Sequence, residues 1–303
     1  MSAETLLPDA VEVSFQRIES TLAEAGQVSL RGRPSPALTA TVVVVGPRER
    51  LPEAAEALEL MTDAGGVRTI LISNGGESVQ AIRVSHQAIA LEGLKPEHVN
   101  NAVAALRLSS LPTMVWWRGG DPSRLEGLAV LADRLVLDAG DPAPGWAIVP
   151  ALAEQTALSD MRWTRLTSWR CLMANFFDIP EVRAAASTFR RLDIEGADPH
   201  AARLFAGWLM SSLRWSGTVS IVPRQELGAA IERVRFGDDR QEVTLQARAT
   251  CVDATACVAG HSKVSRTVLL GDDGPRALIS EELRIRSRDL PFEQALRAAE
   301  GIA

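Results

Sequence analysis

The residues able to carry metal or redox chemistry are few and widely spaced in this chain of 303 residues. No histidine stands at metal-ligand spacing with another histidine, a cysteine or a carboxylate, so we expect no metal centre. Three cysteines are too few for a disulfide framework, and this usage favours a reducing compartment. Cys251 and Cys257 are either small buried apolar residues or a weak candidate for a redox pair, which requires α-carbons within about 7 Å.

Nucleotide-binding and catalytic motifs are also missing from the sequence. The first predicted buried strand runs into Gly46-Pro47-Arg48-Glu49-Arg50, where a dinucleotide-binding fold carries a glycine-rich turn. Proline removes an amide donor there, and the long side chains would keep a pyrophosphate away from the backbone. Neither lysine follows a Gly-rich loop, and no Gly-x-Ser-x-Gly elbow occurs. We therefore expect a protein that is not an enzyme, with no catalytic residues and no cofactor.

Tryptophan and arginine are the residues with an unusual pattern. Half of the aromatic residues are tryptophan, and these cluster beside arginines at the end of a predicted strand near residue 117 and over residues 161–170. Such clusters either fill the core, with the arginines on a solvated flank, or form an interface hot spot or a phosphate pocket. The candidate partner-binding residues are Trp117, Arg118, Trp163, Arg165, Trp169 and Arg170.

Composition and charge exclude several classes of protein. Hydrophobic residues make up 46% and charged residues 23% of the chain, which is typical of a globular protein. The formal net charge of −6 gives no cationic field for nucleic acid or anionic lipid, so we expect neither as a partner. The N-terminus has no secretory signal, and no apolar run is long enough to cross a bilayer. We expect a cytoplasmic protein.

Helices and strands alternate in the first half of the sequence, which predicts an α/β domain with a helix-covered, mostly parallel sheet over residues 1–145. The predicted strands cover residues 38–45, 67–72, 79–89, 112–117 and 135–138, and the predicted helices cover 10–25, 51–63, 97–108 and 122–131. Prolines and glycines between residues 138 and 150 indicate a domain edge there.

The second half, residues 146–303, is predicted to form an α+β domain with an antiparallel meander. Its predicted strands cover residues 231–236, 242–249, 255–259 and 264–270. Helices are predicted near residues 150–158, 164–178, 199–214, 277–285 and 290–299.

Four blocks carry a resemblance to a known family. They are Trp116-Trp117-Arg118-Gly119, Trp163-Thr164-Arg165-Leu166-Thr167-Ser168-Trp169-Arg170, Ala206-Gly207-Trp208-Leu209 and Ser280-Glu281-Glu282-Leu283. In order and spacing they resemble the OpcA family, the glucose-6-phosphate dehydrogenase assembly proteins, from about residue 38 to the end. The segment Gln80–Val84 resembles a further block more weakly.

The resemblance implies a function without catalysis. Members of that family promote the active oligomer of glucose-6-phosphate dehydrogenase and so support the oxidative pentose phosphate pathway and the supply of NADPH. The family offers no catalytic residues to carry over. Some relatives are under thioredoxin-dependent control, but their cysteines cannot be matched to those of this chain.

Two other interpretations stay open at this point. In a sugar-phosphate or nucleotide sensor, Arg118, or Arg165 together with Arg170, would hold a phosphate. A cryptic enzyme with a dinucleotide-like fold is the third interpretation, and the missing glycine motif counts against it.

Overall fold

The computed structural model describes residues 6–7, 10–29, 37–59, 66–74, 81–85, 88–139, 149–224, 228–285 and 287–302. The chain divides into two compact units, Met1–Asp160 with Gly274–Arg288, and Met161–Asp273 with Asp289–Ala303. The segment Gly274–Arg288 thus returns to the first unit from late in the sequence. The predicted domain boundary between residues 145 and 146 lies outside the described residues and stays a prediction.

An eight-stranded sheet forms the centre of the first unit. Its strands are β1 (Val11–Glu12), β2 (Leu38–Gly46), β3 (Gly66–Asn74), β4 (Ala81–Val84), β5 (Ala88–Leu94), β6 (Thr113–Trp117), β7 (Arg134–Leu137) and β8 (Ala157–Asp160). Their order is β1-β4-β5-β3-β2-β6-β7-β8, and all neighbours from β5 to β8 are parallel. Numbered along the chain, these six parallel strands have the 3-2-1-4-5-6 order of a doubly wound dinucleotide-binding sheet.

A six-stranded sheet forms the centre of the second unit. Its strands are β9 (Arg191–Gly196), β10 (Thr218–Pro223), β11 (Arg233–Gly237), β12 (Glu242–Ala247), β13 (Cys251–Cys257) and β14 (Val264–Leu269). They lie in the order β10-β9-β11-β12-β13-β14, and every pair except β10 with β9 is antiparallel. Strands β12 and β13 alternate buried with half-buried residues, as expected of a sheet that is covered on one face.

Eleven helices pack around the two sheets in the described part of the chain. They are α1 (Ile18–Ser29), α2 (Leu51–Glu59), α3 (Val99–Leu106), α4 (Leu125–Leu131), α5 (Val149–Gln155), α6 (Met161–Arg165), α7 (Thr167–Phe177), α8 (Pro180–Ala186), α9 (Pro199–Leu213), α10 (Pro275–Arg284) and α11 (Leu290–Ala299). Helix α10 belongs to the first unit and α11 to the second.

The predicted fold class is confirmed in both units, and its physical basis is visible in the burial of the strands. Residues Val42–Val45 of β2 are buried, and all of β3 except its last residue is buried. Both strands therefore have helices or neighbouring chain on each face, which is why they consist of continuous apolar runs instead of an alternating pattern.

Several element predictions were wrong in detail. A single strand was predicted over residues 79–89, but the structure has two antiparallel strands there, β4 and β5. Residues 75–80, before β4, and 86–87, between the two strands, lie outside the described residues. The helix predicted from residue 10 begins later, because Val11 pairs with Val84 as strand β1. The helix predicted to residue 158 ends at Gln155, and strand β8 follows it beside β7. Strands β9 and β10 and helix α8 were not predicted.

Candidate functional site

The first cluster of candidate residues lies where β6 ends. Parallel strands in this order bind ligands outside their carboxyl ends, at the point where the strand order reverses, here between β2 and β6. Arg118 follows β6 directly, and its N–H bonds to the carbonyl of Val45 at the end of β2. The sequence thus brings a long cationic side chain to the place where an open sheet normally holds its ligand.

Arg118 is nevertheless only 3% exposed, and its guanidinium is engaged with the protein itself. Nε donates to Asp138 Oδ2 at 3.1 Å, Nη2 to Glu53 Oε2 at 2.6 Å, and Nη1 to the carbonyl of Arg50 at 2.6 Å. Asp138 also accepts from the Trp116 indole at 3.1 Å, and the guanidinium carbon lies 4.8 Å from the centre of that ring. This network holds the strand ends together and occupies every nitrogen of the guanidinium.

The turn after β2 is closed by the same side chain. A Cβ added to Gly46 would lie 3.0 Å from the Cβ of Arg118, so the glycine permits close contact with Arg118. In a dinucleotide-binding sheet, the corresponding glycine makes room for a pyrophosphate. Here Arg118 lies next to the turn instead, within a strand order typical of dinucleotide-binding folds.

Trp117 is buried, like its neighbour Arg118. Trp117 is 1% exposed and Trp116 is fully buried, so the two neighbouring rings fill opposite sides of the sheet. In the described chain, neither Trp117 nor Arg118 presents a side chain to a partner. Both are core residues of the first unit, and the partner contacts predicted for them stay a prediction without support in this conformation.

The second cluster, residues 161–170, is built around the indole of Trp163, which is 2% exposed. The guanidinium carbon of Arg170 lies 3.5 Å from the centre of the Trp163 ring, and the ring of Phe292 packs on it with centroids 5.6 Å apart. The indole N–H donates to Asp289 Oδ2 at 2.8 Å. Asp289 in turn accepts the backbone N–H of Phe292 and so caps helix α11. The tryptophan therefore fixes the start of the last helix of the second unit.

The other predicted residues of this block differ in exposure. Trp169 is 5% exposed and lies on the buried stripe of α7 with Leu172 and Phe176, as its helical spacing predicts. Arg165 and Arg170 are half-buried. Arg170 also donates to Thr167 Oγ1 and to the carbonyl of Trp163, so its stacked position is fixed. Of the six candidate residues, Arg165 and Arg170 are the two that reach the surface.

We expect the variant Trp163→Phe to lower the free energy of unfolding of the second unit by about 2 kcal/mol, since it keeps a ring but removes the hydrogen bond from the buried indole to the half-buried carboxylate of Asp289. Urea unfolding followed by circular dichroism measures this loss. Trp208→Phe, at a half-exposed position on α9, is the control and should change stability by less than about 1 kcal/mol. Equal losses in the two variants would contradict the role given to the indole N–H.

A third cluster, around Glu282, was missed by the sequence analysis. Glu282 is 1% exposed and accepts from Arg134 Nη2 at 2.6 Å and Nε at 2.9 Å. Its other oxygen accepts the hydroxyl of Ser159 at 2.9 Å. This buried pair attaches helix α10 to strands β7 and β8 of the first unit. A fully buried carboxylate within a helix cannot be distinguished in sequence from the exposed one beside it.

The two cysteines of the predicted redox pair lie far apart in the structure. Cys251 and Cys257 are the first and last residues of β13, and both are half-exposed and unbonded. Six steps along an extended strand separate their α-carbons by about 20 Å, far beyond the reach of a disulfide. Cys171 lies exposed on α7.

The described residues were searched for metal-binding clusters and for membrane-spanning helices. Within that part, no group of three or more histidine, cysteine, aspartate or glutamate side chains is arranged to hold a metal ion. Across the same residues, no helix combines the length and apolar character that crossing a membrane requires. Of the histidines, His86 lies outside the described residues, as does Trp146 among the tryptophans.

The fold and the three clusters define a class of protein: a two-unit α/β chain with a doubly wound first unit, in which the arginine at the switch point is bonded to the protein itself. Comparison with known sequences gives the family. Residues 156–296 match the family described as the C-terminal domain of the glucose-6-phosphate dehydrogenase subunit OpcA. This match agrees with the resemblance to the OpcA family found in the tryptophan and arginine blocks. The block at residues 116–119 precedes the matched region.

Two cyanobacterial relatives support the same assignment. The OxPP cycle protein OpcA of Nostoc punctiforme is 33% identical over 143 residues, which are 44% of this chain and 30% of that protein. The protein of the same name from Synechococcus elongatus is 31% identical over 147 residues, 45% of this chain and 33% of that protein. The matched region thus spans about a third of these relatives' length.

Similarity to solved structures is weaker. An oxidoreductase from Bacillus cereus aligns with a TM-score of 0.47 and 8% identity, over 86% of this chain and 95% of that protein. With a TM-score below 0.5, nothing about function follows from this likeness.

Proposed function

We propose that this chain associates with glucose-6-phosphate dehydrogenase and promotes its active oligomer as a non-catalytic partner. The observation that carries the proposal is the match of residues 156–296 to the C-terminal domain family of a glucose-6-phosphate dehydrogenase subunit. The names of the two cyanobacterial relatives agree with a place in the oxidative pentose phosphate cycle. In this role the chain acts in the cytoplasm and supports the supply of NADPH.

The arrangement of the clusters supports a partner that acts through its surface. The distinctive residues of the family blocks serve the architecture: Trp163 fixes the start of α11, and Glu282 attaches α10. Arg118, at the strand ends where an enzyme of this fold would bind a dinucleotide, is buried and bonded to Asp138 and Glu53. Activation then requires only that the chain binds the active oligomer more tightly than the inactive form, and tenfold activation corresponds to about 1.4 kcal/mol of difference.

Arg165 and Arg170 are the residues we propose for direct contact with the dehydrogenase. Both are half-exposed, and Arg170 stacks on the Trp163 ring. Arginine and tryptophan are enriched at interface hot spots. The buried residues of the same block, Trp163 and Trp169, would support this surface from below. Alanine variants of the two arginines, tested for activation beside thermal melts, separate contact from stability: a surface role lowers activation while the melting temperature changes little.

The proposal is tested by the initial rate of glucose-6-phosphate dehydrogenase from the same source organism, measured over a range of glucose 6-phosphate concentrations with and without this chain. We expect a higher rate or a lower KM when the chain is present, under reducing or oxidising conditions. An equal mass of serum albumin serves as the control for non-specific protein effects. Identical kinetics in all mixtures would contradict the proposed activation.

The sensor interpretation makes a different prediction. Calorimetric titration of the isolated chain with NADP, ATP or glucose 6-phosphate should give no binding heat at millimolar ligand. Arg170 is already stacked on Trp163 and bonded to Thr167. Arg118 is buried and bonded to Asp138, Glu53 and Arg50. A phosphate would have to displace these groups at the cost of leaving buried carboxylate unpaired. Saturable binding of any of the three ligands would favour a sensor over a simple assembly partner.

A further inference from the structure

The four outer edges of the two sheets differ in how they are protected against pairing with another chain. Strand β1 has two residues, and β8 has four and ends in Asp160. Strand β14 carries Arg266 and is preceded by Lys263. Short edge strands and charged side chains are the usual means of preventing edge-to-edge pairing. Strand β10, with the sequence TVSIVP, has six residues and no charge.

The outer edge of β10 offers backbone groups for hydrogen bonding. The N–H groups of Thr218 and Arg224 donate to carbonyls on the β9 side, at 2.9 Å each. In a parallel ladder, alternate residues direct both their N–H and C=O groups to the same neighbour, so Val219 and Ile221 direct theirs away from β9. Within the described residues no strand pairs with this edge. Pro223 ends the strand and lacks an N–H.

We propose that β10 pairs antiparallel with β10 of a second copy of this chain, about a two-fold axis at Ser220. In this register Val219 of one copy lies opposite Ile221 of the other, and each such pair exchanges two hydrogen bonds, four in total. A two-fold contact requires an edge that is complementary to itself, and an uncharged strand with its outward residues placed symmetrically about Ser220 meets that requirement. The two six-stranded sheets then form one continuous sheet.

The side chains of β10 favour the same arrangement. Val219 and Ile221 stand in register with the buried Leu192 and Ile194 of β9, so they lie on the helix-covered face. Across the axis, Val219 would pack on Ile221 of the other copy, a β-branched pair of the kind that stabilises sheets. Ser220 lies on the opposite, open face, where the two copies of this residue would be adjacent.

The test places a charge at the axis. Ser220→Lys brings two ammonium groups directly opposite one another. We expect the dissociation constant of the dimer, measured by light scattering and sedimentation, to rise at least about tenfold. The matched control is Ser265→Lys, the same substitution in the same register row and on the same face, but on the opposite edge strand β14. The control should dimerise like wild type.

A second variant locates the contact without relying on charge. The two copies of residue 220 would form a non-hydrogen-bonded pair, whose α-carbons lie about 4.5 Å apart in an antiparallel ladder. This distance is within disulfide range, so Ser220→Cys should form a cross-linked dimer on oxidation. Ser265→Cys should give no more cross-linking than wild type, whose own three cysteines are the baseline. A monomeric wild-type chain at about 100 µM, a concentration that populates a dimer of micromolar Kd, would overturn the proposal. So would a dimer that Ser220→Lys leaves intact.

Discussion

Replacing Glu282 by glutamine should lower the free energy of unfolding of the first unit by about 3 kcal/mol. The substitution keeps the size of the side chain but removes the negative charge that faces Arg134. Arg134 is itself buried, so its positive charge would be left without a counter-charge in the protein interior. The expected consequence is weaker attachment of helix α10, because Glu282 and Arg134 are its buried charged link to β7.

Urea unfolding, followed by tryptophan fluorescence and circular dichroism, measures this effect. Glu281→Gln is the matched control, since it makes the same chemical change at the exposed neighbouring position and should lower stability by less than about 0.5 kcal/mol. A double variant, Arg134→Met with Glu282→Met, should recover much of the loss, because apolar residues can replace a buried ion pair. Equal unfolding midpoints for the two single glutamine variants would contradict the structural role of Glu282.

Replacing Gly207 by alanine should destabilise the second unit by about 3 kcal/mol. Helices α9 and α11 pack closely at this point, and an added Cβ would lie 2.1 Å from the carbonyl oxygen of Ala295 and 2.9 Å from the N of Ala299. Both are backbone atoms of α11, so the added methyl can be accommodated only if the helices move apart. This close approach explains the glycine within the block Ala206-Gly207-Trp208-Leu209.

Whether Gly207→Ala raises or lowers the free energy of unfolding tests the helix packing at this position. In a helix interior without neighbours, alanine is more stable than glycine by about 1 kcal/mol, so a stabilised Gly207→Ala variant would show that α11 does not pack here as described. Gly271→Ala is the control, because a Cβ at Gly271 meets no atom within 4 Å. Thermal melts of the two variants beside wild type, monitored by circular dichroism, make the comparison.

Much of the fold could be predicted because most of its strands have a recognisable local pattern of apolar and polar residues. Buried parallel strands such as β2 and β3 are continuous apolar runs, and the hairpins from β11 to β14 alternate apolar and polar residues between turn residues. Strand β9 was missed although it alternates, because Arg191–Gly196 carries three charged residues in a short segment between helices. Local propensity is weak where the stability of a strand comes from its neighbours.

The roles of the candidate site residues, unlike most of the strands, could not be predicted from local sequence. Composition alone pointed to the tryptophan and arginine blocks, but the task of each residue depends on partners far away in sequence. Trp163 bonds to Asp289, 126 residues later, and Arg134 to Glu282, 148 residues later. Periodicity cannot reveal such pairs. The same limit explains why Arg118, expected at a surface, is buried: the carboxylates that neutralise it come from a helix and a neighbouring strand.

The complex with glucose-6-phosphate dehydrogenase is the proposal on which the function of this chain depends. The most direct measurement is light scattering on a size-exclusion column, applied to the chain, to the dehydrogenase of the same organism and to their mixture. We expect a species in the mixture that contains both proteins and has a mass above that of either protein alone. Two unchanged peaks at the masses of the separate proteins, in reducing and in oxidising buffer, would contradict it.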